Sequence, residues 1–198
     1  MSNDKDVARL YKLQATVGKL VLDQKRDAKA VADVLQSIID PSAPQHVIDC
    51  DAAPNTRMWS AMECRVVSHQ RVGQLAWDPT RFKLWLPEEQ RDWRDISVPD
   101  LRSVLASKTV LNANVLDHLL KYQHLIPPVC RVPMRDGSIG MYALFWGTIY
   151  ANKDGEFVRS LMWTGRKSPG MDMGKWGEYP VYFDRDFFSC NYPAAIFE

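Results

Sequence analysis

Three observations predict an α+β fold: a helix-periodic apolar stripe near the start of the chain, two capped helical patterns in its middle, and apolar-aromatic runs around an Asp-Gly turn in its last third. The 198 residues suffice for one sizeable core and little more. Hydrophobic residues at 46% and charged residues at 25% match a globular domain rather than a disordered or fibrous chain. The expected organisation is an N-terminal helical hairpin over 1–40, a linker-like segment over 41–57, and an α+β domain over 58–198. In that domain a central mixed segment leads into a C-terminal antiparallel β-meander.

In the hairpin, Val31, Val34, Leu35, Ile38 and Ile39 recur at i, i+3, i+4, i+7 and i+8, with Asp27 to cap the helix and Asp40-Pro41 to stop it. Leu10, Leu13, Val17, Leu20 and Val21 form the preceding stripe, and Gln24-Lys25-Arg26 connects the two. Lys29 alone adds a basic side chain to the second helix, so a packing hairpin is expected rather than a DNA-reading helix-turn-helix. Prolines then mark the linker, with Val47-Ile48 as its one short strand.

Phe82, Leu84 and Leu86 alternate with Arg81, Lys83 and Trp85, the period of a half-buried strand ended by Pro87. Ser97-Val98-Pro99-Asp100 starts a short helix with Leu101, Val104 and Leu105 on one face. Asn112 or Asn114 caps the next helix, whose Val115, Leu116, Leu119 and Leu120 face the core while Asp117 and Lys121 pair outside it. Leu144 to Tyr150 and Glu156 to Trp163 read as a hairpin around Asp154-Gly155. A third strand is expected around Val181-Tyr182-Phe183, after a loop from Gly165 to Gly177.

Lys plus Arg number 25 and Asp plus Glu 24, and the signs balance within each part of the chain, so no global field draws in nucleic acid or an anionic membrane. The opening MSNDKDVARLYKLQ carries charge where a secretory signal needs an apolar run, and no later stretch is long enough to span a bilayer. A cytoplasmic protein with no membrane association is expected. The four cysteines, without a CxxC pair, are expected to be reduced thiols.

Several strings are specific: Leu111-Asn112-Ala113-Asn114-Val115-Leu116-Asp117, Leu125-Ile126-Pro127 and Phe145-Trp146-Gly147-Thr148-Ile149-Tyr150, with Ile48-Asp49-Cys50-Asp51 and Trp77-Asp78-Pro79 before them. Through these, residues 46 to 198 resemble a family of short hypothetical proteins from ultra-small candidate-phylum bacteria. Where that family carries a lysine-rich segment after Leu125-Ile126-Pro127, this chain has Pro128-Val129-Cys130-Arg131 and a longer insertion. The resemblance implies relatives and no particular activity.

His46, Asp49, Cys50 and Asp51 crowd donor atoms together, and Cys64, His69, His118, His124 and Cys130 could add ligands. Structural zinc sites keep their ligand pairs local, at spacings absent here, so neither metal nor cofactor is expected. In the Val47-Ile48 strand, Asp49 and Asp51 share one face and Cys50 turns to the core. A Cys-His nucleophile pair, Cys130 with His124 or His118, or Cys64 with His69, defines the enzymatic alternative: a small hydrolase or transferase. Against it, Cys64-Arg65-Val66-Val67 reads as a core strand and His118 as a solvated residue on a polar helix face. The carboxylate pairs Glu88-Glu89 and Asp184 with Asp186 read as solvated or held ionised by Arg185, and the glycines form no phosphate loop.

Aromatic residues are the one compositional excess, with seven Trp, seven Tyr and seven Phe. Trp146, Trp163 and Trp176, with Arg159, Arg166 and Lys167, define a candidate aromatic face. The expected function is a non-enzymatic binding or interaction module using this face, with another protein as partner ahead of nucleic acid or glycan because the charge is balanced. At least one of the three indoles is expected to be solvent-exposed.

Overall fold

A hairpin closes only a short loop and so costs little chain entropy, and the last third of this chain contains one between residues 143–152 and 155–163. The computed structural model describes residue 19 and residues 46–58, 62–92, 94–131, 142–163, 176–183 and 187–198. The helical hairpin expected over 1–40, the pair Asp184 and Asp186, and Arg166 and Lys167 lie outside the described residues.

In chain order the elements are β1 (Val47–Asp49), β2 (Arg57–Met58), β3 (Met62–Glu63), β4 (Arg65–His69), β5 (Gln74–Ala76) and β6 (Phe82–Trp85). The helices α1 (Glu88–Arg91), α2 (Val98–Leu105) and α3 (Ala113–Lys121) follow, with β7 (Ile96–Ser97) before α2. After 3-10 turns at Gln123–Leu125 and Pro128–Arg131 come β8 (Ala143–Asn152), β9 (Gly155–Trp163), β10 (Trp176–Tyr182), β11 (Phe187–Phe188) and β12 (Ala194–Phe197).

The meander β8-β9-β10 is half of a six-stranded sheet of order β10-β9-β8-β12-β6, with β4 also paired to β8. Its first turn closes Asn152 on Gly155, and Gly155 takes φ +130°, a conformation that glycine adopts without strain. Trp176 and Gly177, expected in a loop, start β10. One edge of β8 serves two partners: antiparallel β4 along residues 148–151, and parallel β12 at Leu144. β12 then pairs β6 from Ala194↔Trp85 to Phe197↔Phe82.

Each face of this sheet covers a separate core. Ala143, Phe145, Leu161, Ala195 and Phe197 pack on α3, through Val115, Leu116 and Leu119, and on Ile48 and Trp77. Leu144, Trp146, Val158, Ala194 and Ile196 pack on Leu101 and Leu105 of α2 and on Phe188. Both helices are capped: the Ser97 hydroxyl accepts from Asp100 N–H and Asn112 caps α3. Val104, expected on the buried face of α2, is 39% exposed. Residues 46–57 of the segment expected as linker are part of the compact unit that runs from His46 to Glu198. β1 pairs antiparallel with β5, burying Ile48 and turning Cys50 into the core.

Candidate functional site

Asn112 is 2% exposed and uses its whole amide. Its Oδ1 accepts from the N–H groups of Asn114 and Val115, satisfying two of the donors that a helix start leaves over. Its Nδ2 donates to Cys50 O at 2.9 Å and Gln70 O at 3.0 Å, so the helix cap also fastens two distant loops. Gly147 makes this fit possible, because a Cβ there would meet Asn112 backbone and side-chain atoms at 2.9 Å. Beside it, Thr148 Oγ1 accepts from Ala113 N–H and bonds His69 Nδ1 at 2.8 Å. His69 Nε2 lies 2.9 Å from Cys50 O, and since a carbonyl only accepts, that nitrogen carries the proton. Asn114 is not the cap; its side chain donates to Asp49 O and Ala52 O, each at 2.9 Å.

One turn along α3, Asp117 accepts from Arg159 Nη2 at 2.5 Å rather than pairing with Lys121. Arg159 stands on β9, 1% exposed, and its guanidinium also donates to Glu178 of β10, from Nε at 2.8 Å. Burial alone would lower the Arg159 pKa, but the hydrogen bonds and charges of Asp117 and Glu178 outweigh it and raise the pKa, so the guanidinium stays charged. A buried cation is tolerable only with such partners.

The outer side of α3 and the 47–55 segment enclose an open groove of about 380 Å³. Val47, Asp49 and Asn55 form one wall, and Asn114, Asp117, His118 and Lys121 the other. At its end three of the chain's four histidines gather around Tyr122. His118 Nε2 and His46 Nδ1 are 3.1 Å apart, and the His46 ring lies 5.2 Å from His118 and 6.0 Å from His124 between centroids. Burial, then the charges of His46, Lys121 and His124, push the His118 pKa down to about 4. His118 is therefore half-buried in a ring cluster, not a solvated side chain on a polar face. Sequence reasoning missed the cluster because His46 and His118 are 72 residues apart.

Neither expected Cys-His pair forms as a catalytic unit among the described residues. His69 spends both ring nitrogens on Thr148 and Cys50 O, and the Cys64 thiol donates to Thr56 O at 3.2 Å. Burial pushes the Cys64 pKa up against the opposing charge of Arg159. Cys130 is 3% exposed, and burial raises its thiol to about 12, away from the reactive thiolate. In Cys50 burial, followed by Asp49 and Asp51, raises the pKa to about 11. Among the described residues no three His, Cys, Asp or Glu side chains are placed to hold a metal ion, and no helix is long and apolar enough to cross a membrane.

The expected aromatic face is not presented as such. Trp146 and Trp176 are each 5% exposed, because β8 and β10 turn these indoles onto the two cores, and Arg159 is buried beneath α3. Trp146 stacks on Phe183 at 5.1 Å, while Trp163 is half-buried edge-on to Trp176. Tyr179 is the exposed large aromatic of β10. No family model matches the chain, and neither a curated protein nor a solved structure matches it.

Proposed function

We propose that the chain is a non-enzymatic binding or interaction module, and that its recognition surface is the groove between α3 and the 47–55 segment rather than the aromatic face. The observation that supports this reading is the mixed lining of the groove: an exposed apolar side chain at Val47, a carboxylate at Asp49, and a cation at Lys121 on the facing helix. Charges of both signs beside the apolar Val47 side chain suit an extended segment of another protein, whose main chain offers donors and acceptors and whose side chains supply the complement.

The test is an NMR titration of the full chain with a library of short peptides of mixed charge. Binders are expected to shift the resonances of Val47–Asn55 and α3 and to lose affinity several-fold with Lys121→Glu. Shifts centred instead on Trp163 and Tyr179 would return recognition to the aromatic face, and turnover of any peptide would replace the binding reading with an enzymatic one.

A further inference from the structure

Two charges of opposite sign stand one turn apart on α3 along the groove, and each has capacity to spare. Asp117 gives Oδ1 to Arg159 and keeps Oδ2 without a partner among the described residues, with its side chain 34% exposed. Lys121, the last residue of α3, makes no ion pair among the described residues; its ammonium lies 5.2 Å from the centre of the Tyr122 ring. His118 between them adds no charge near neutrality, since burial, then His46, Lys121 and His124, push its pKa down to about 4. On the other wall Asp49 gives Oδ1 to Asp51 N–H and is held beside the start of α3 by the bond from Asn114 to its carbonyl. The groove thus has an acidic end, Asp49 with Asp117, and a basic end at Lys121.

β1 adds main-chain groups to the same space. Its bonds to the strand opposite pass through even-numbered residues: Trp77 N–H donates to His46 O at 2.8 Å and Cys50 N–H to Gly73 O at 3.0 Å. In an antiparallel ladder the residues between, Val47 and Asp49, then turn N–H and C=O to the free edge, and it is there that Asn114 reaches Asp49 O. Val47 keeps both groups on that edge without a partner among the described residues, under a side chain that is 52% exposed. An open strand edge is a template for another main chain.

We infer that the groove takes an extended segment with one basic and one acidic side chain two positions apart. The basic one lies between Asp49 and Asp117, the acidic one on Lys121, and the main chain of the residue between them on Val47. The spacing follows from two repeats. Four helical residues advance about 6 Å from Asp117 to Lys121, and alternate side chains of an extended chain, which share a face, recur at about 6.6–6.8 Å. Side chains one or three positions apart point to opposite faces and miss one of the two charges. This register rests on the groove being the recognition surface proposed above.

The experiment is an NMR titration of the full chain with short peptides of one composition that place arginine and glutamate one, two or three positions apart, the two-apart pair in both chain orders. A two-apart peptide of at least one order is expected to bind about 2–5-fold more tightly than the other spacings, the worth of one partly exposed ion pair. Asp49→Asn keeps the acceptor for Asp51 N–H and should weaken that peptide to a similar degree. Lys121→Glu should move the preference to a peptide with arginine at both positions. Equal binding of all spacings in the groove, or an unchanged preference in Lys121→Glu, would overturn the register and leave the groove as a recognition surface. Absence of shifts in Val47–Asn55 and α3 with every peptide would remove both.

Discussion

The two faces of the central sheet bury their polar groups in different ways. Toward α2, Gln90 Nε2 donates to Phe188 O and Ser189 O, and the Ser160 hydroxyl to Tyr179 O, so neutral side chains meet main-chain carbonyls amid aliphatic and aromatic packing. Toward α3 lie a buried guanidinium between two carboxylates, a cap that ties three segments, and a half-buried imidazole cluster at the rim of a groove. The first arrangement depends on charge chiefly through one half-exposed ion pair, Arg102 of α2 with Glu156. The second makes stability depend on charge and pH, which a plain core avoids.

The difference can be broken at four positions. Removing the guanidinium should be most damaging: Arg159→Ala should cost about 3–5 kcal/mol in denaturant unfolding, since it empties the space of a large buried side chain and leaves the partly exposed Asp117 and Glu178 without their shared cation. Asn112→Ala should lose about 2–3 kcal/mol, combining the cap with the loss of the amide donor shared by Cys50 O, which keeps His69 Nε2, and Gln70 O. Aspartate cannot stand in there, because it keeps the cap oxygen but offers no donor to Cys50 O or Gln70 O; Asn112→Asp should be destabilising too. Asn114→Ala should cost less than Asn112→Ala. Gly147→Ala should cost about 1–3 kcal/mol, through displacement of the Asn112 backbone; a melting temperature equal to wild type would show that α3 slides freely.

The smallest effect is pH-dependent. His118 titrates lower in the folded chain, about 4 against 6.5, so the unfolded chain binds more protons in that window. Its contribution to stability is complete above pH 6.5 and is lost as pH falls toward 4, with His118→Gln flattening that part of the melting-temperature profile. Because the ring is only half-buried, water screens much of this effect, and the slope should be modest.

Local chemistry carried much of the fold into the sequence. The β8-β9 turn at Asp154-Gly155, the Ser97 cap and the helix beginning at Asn112 are all readable because neighbouring residues decide them. β12 was not readable: all four of its residues are buried, so the alternation that marks a half-exposed strand is absent. Arg159 was misleading, since a charged residue in a strand normally faces water and only the pairing with Asp117 and Glu178, 42 and 19 residues away, makes its burial tolerable. The same holds for the groove, whose walls belong to segments that only the folded chain brings together. Strings such as Asn112 with Gly147 were recognisable as words before their contact gave them a physical meaning.

The position of β12 also governs how this chain can be made. Trp85 waits for Ala194, 109 residues later, before the β6 side of the sheet has a neighbour. At ribosomal speed that delay is roughly 5–20 s, far longer than hairpin formation, and β8 and β9 can join well before it ends. Throughout the interval Phe82 and Leu84 remain available to any passing strand. Arg81 and Lys83 on either side of Phe82, with Pro87 just beyond, place charge and a missing donor around that vulnerable edge. The same edge persists in the finished sheet, where β6 ends the strand order and Arg81 donates from Nε to Glu198 O and covers the Phe197 ring.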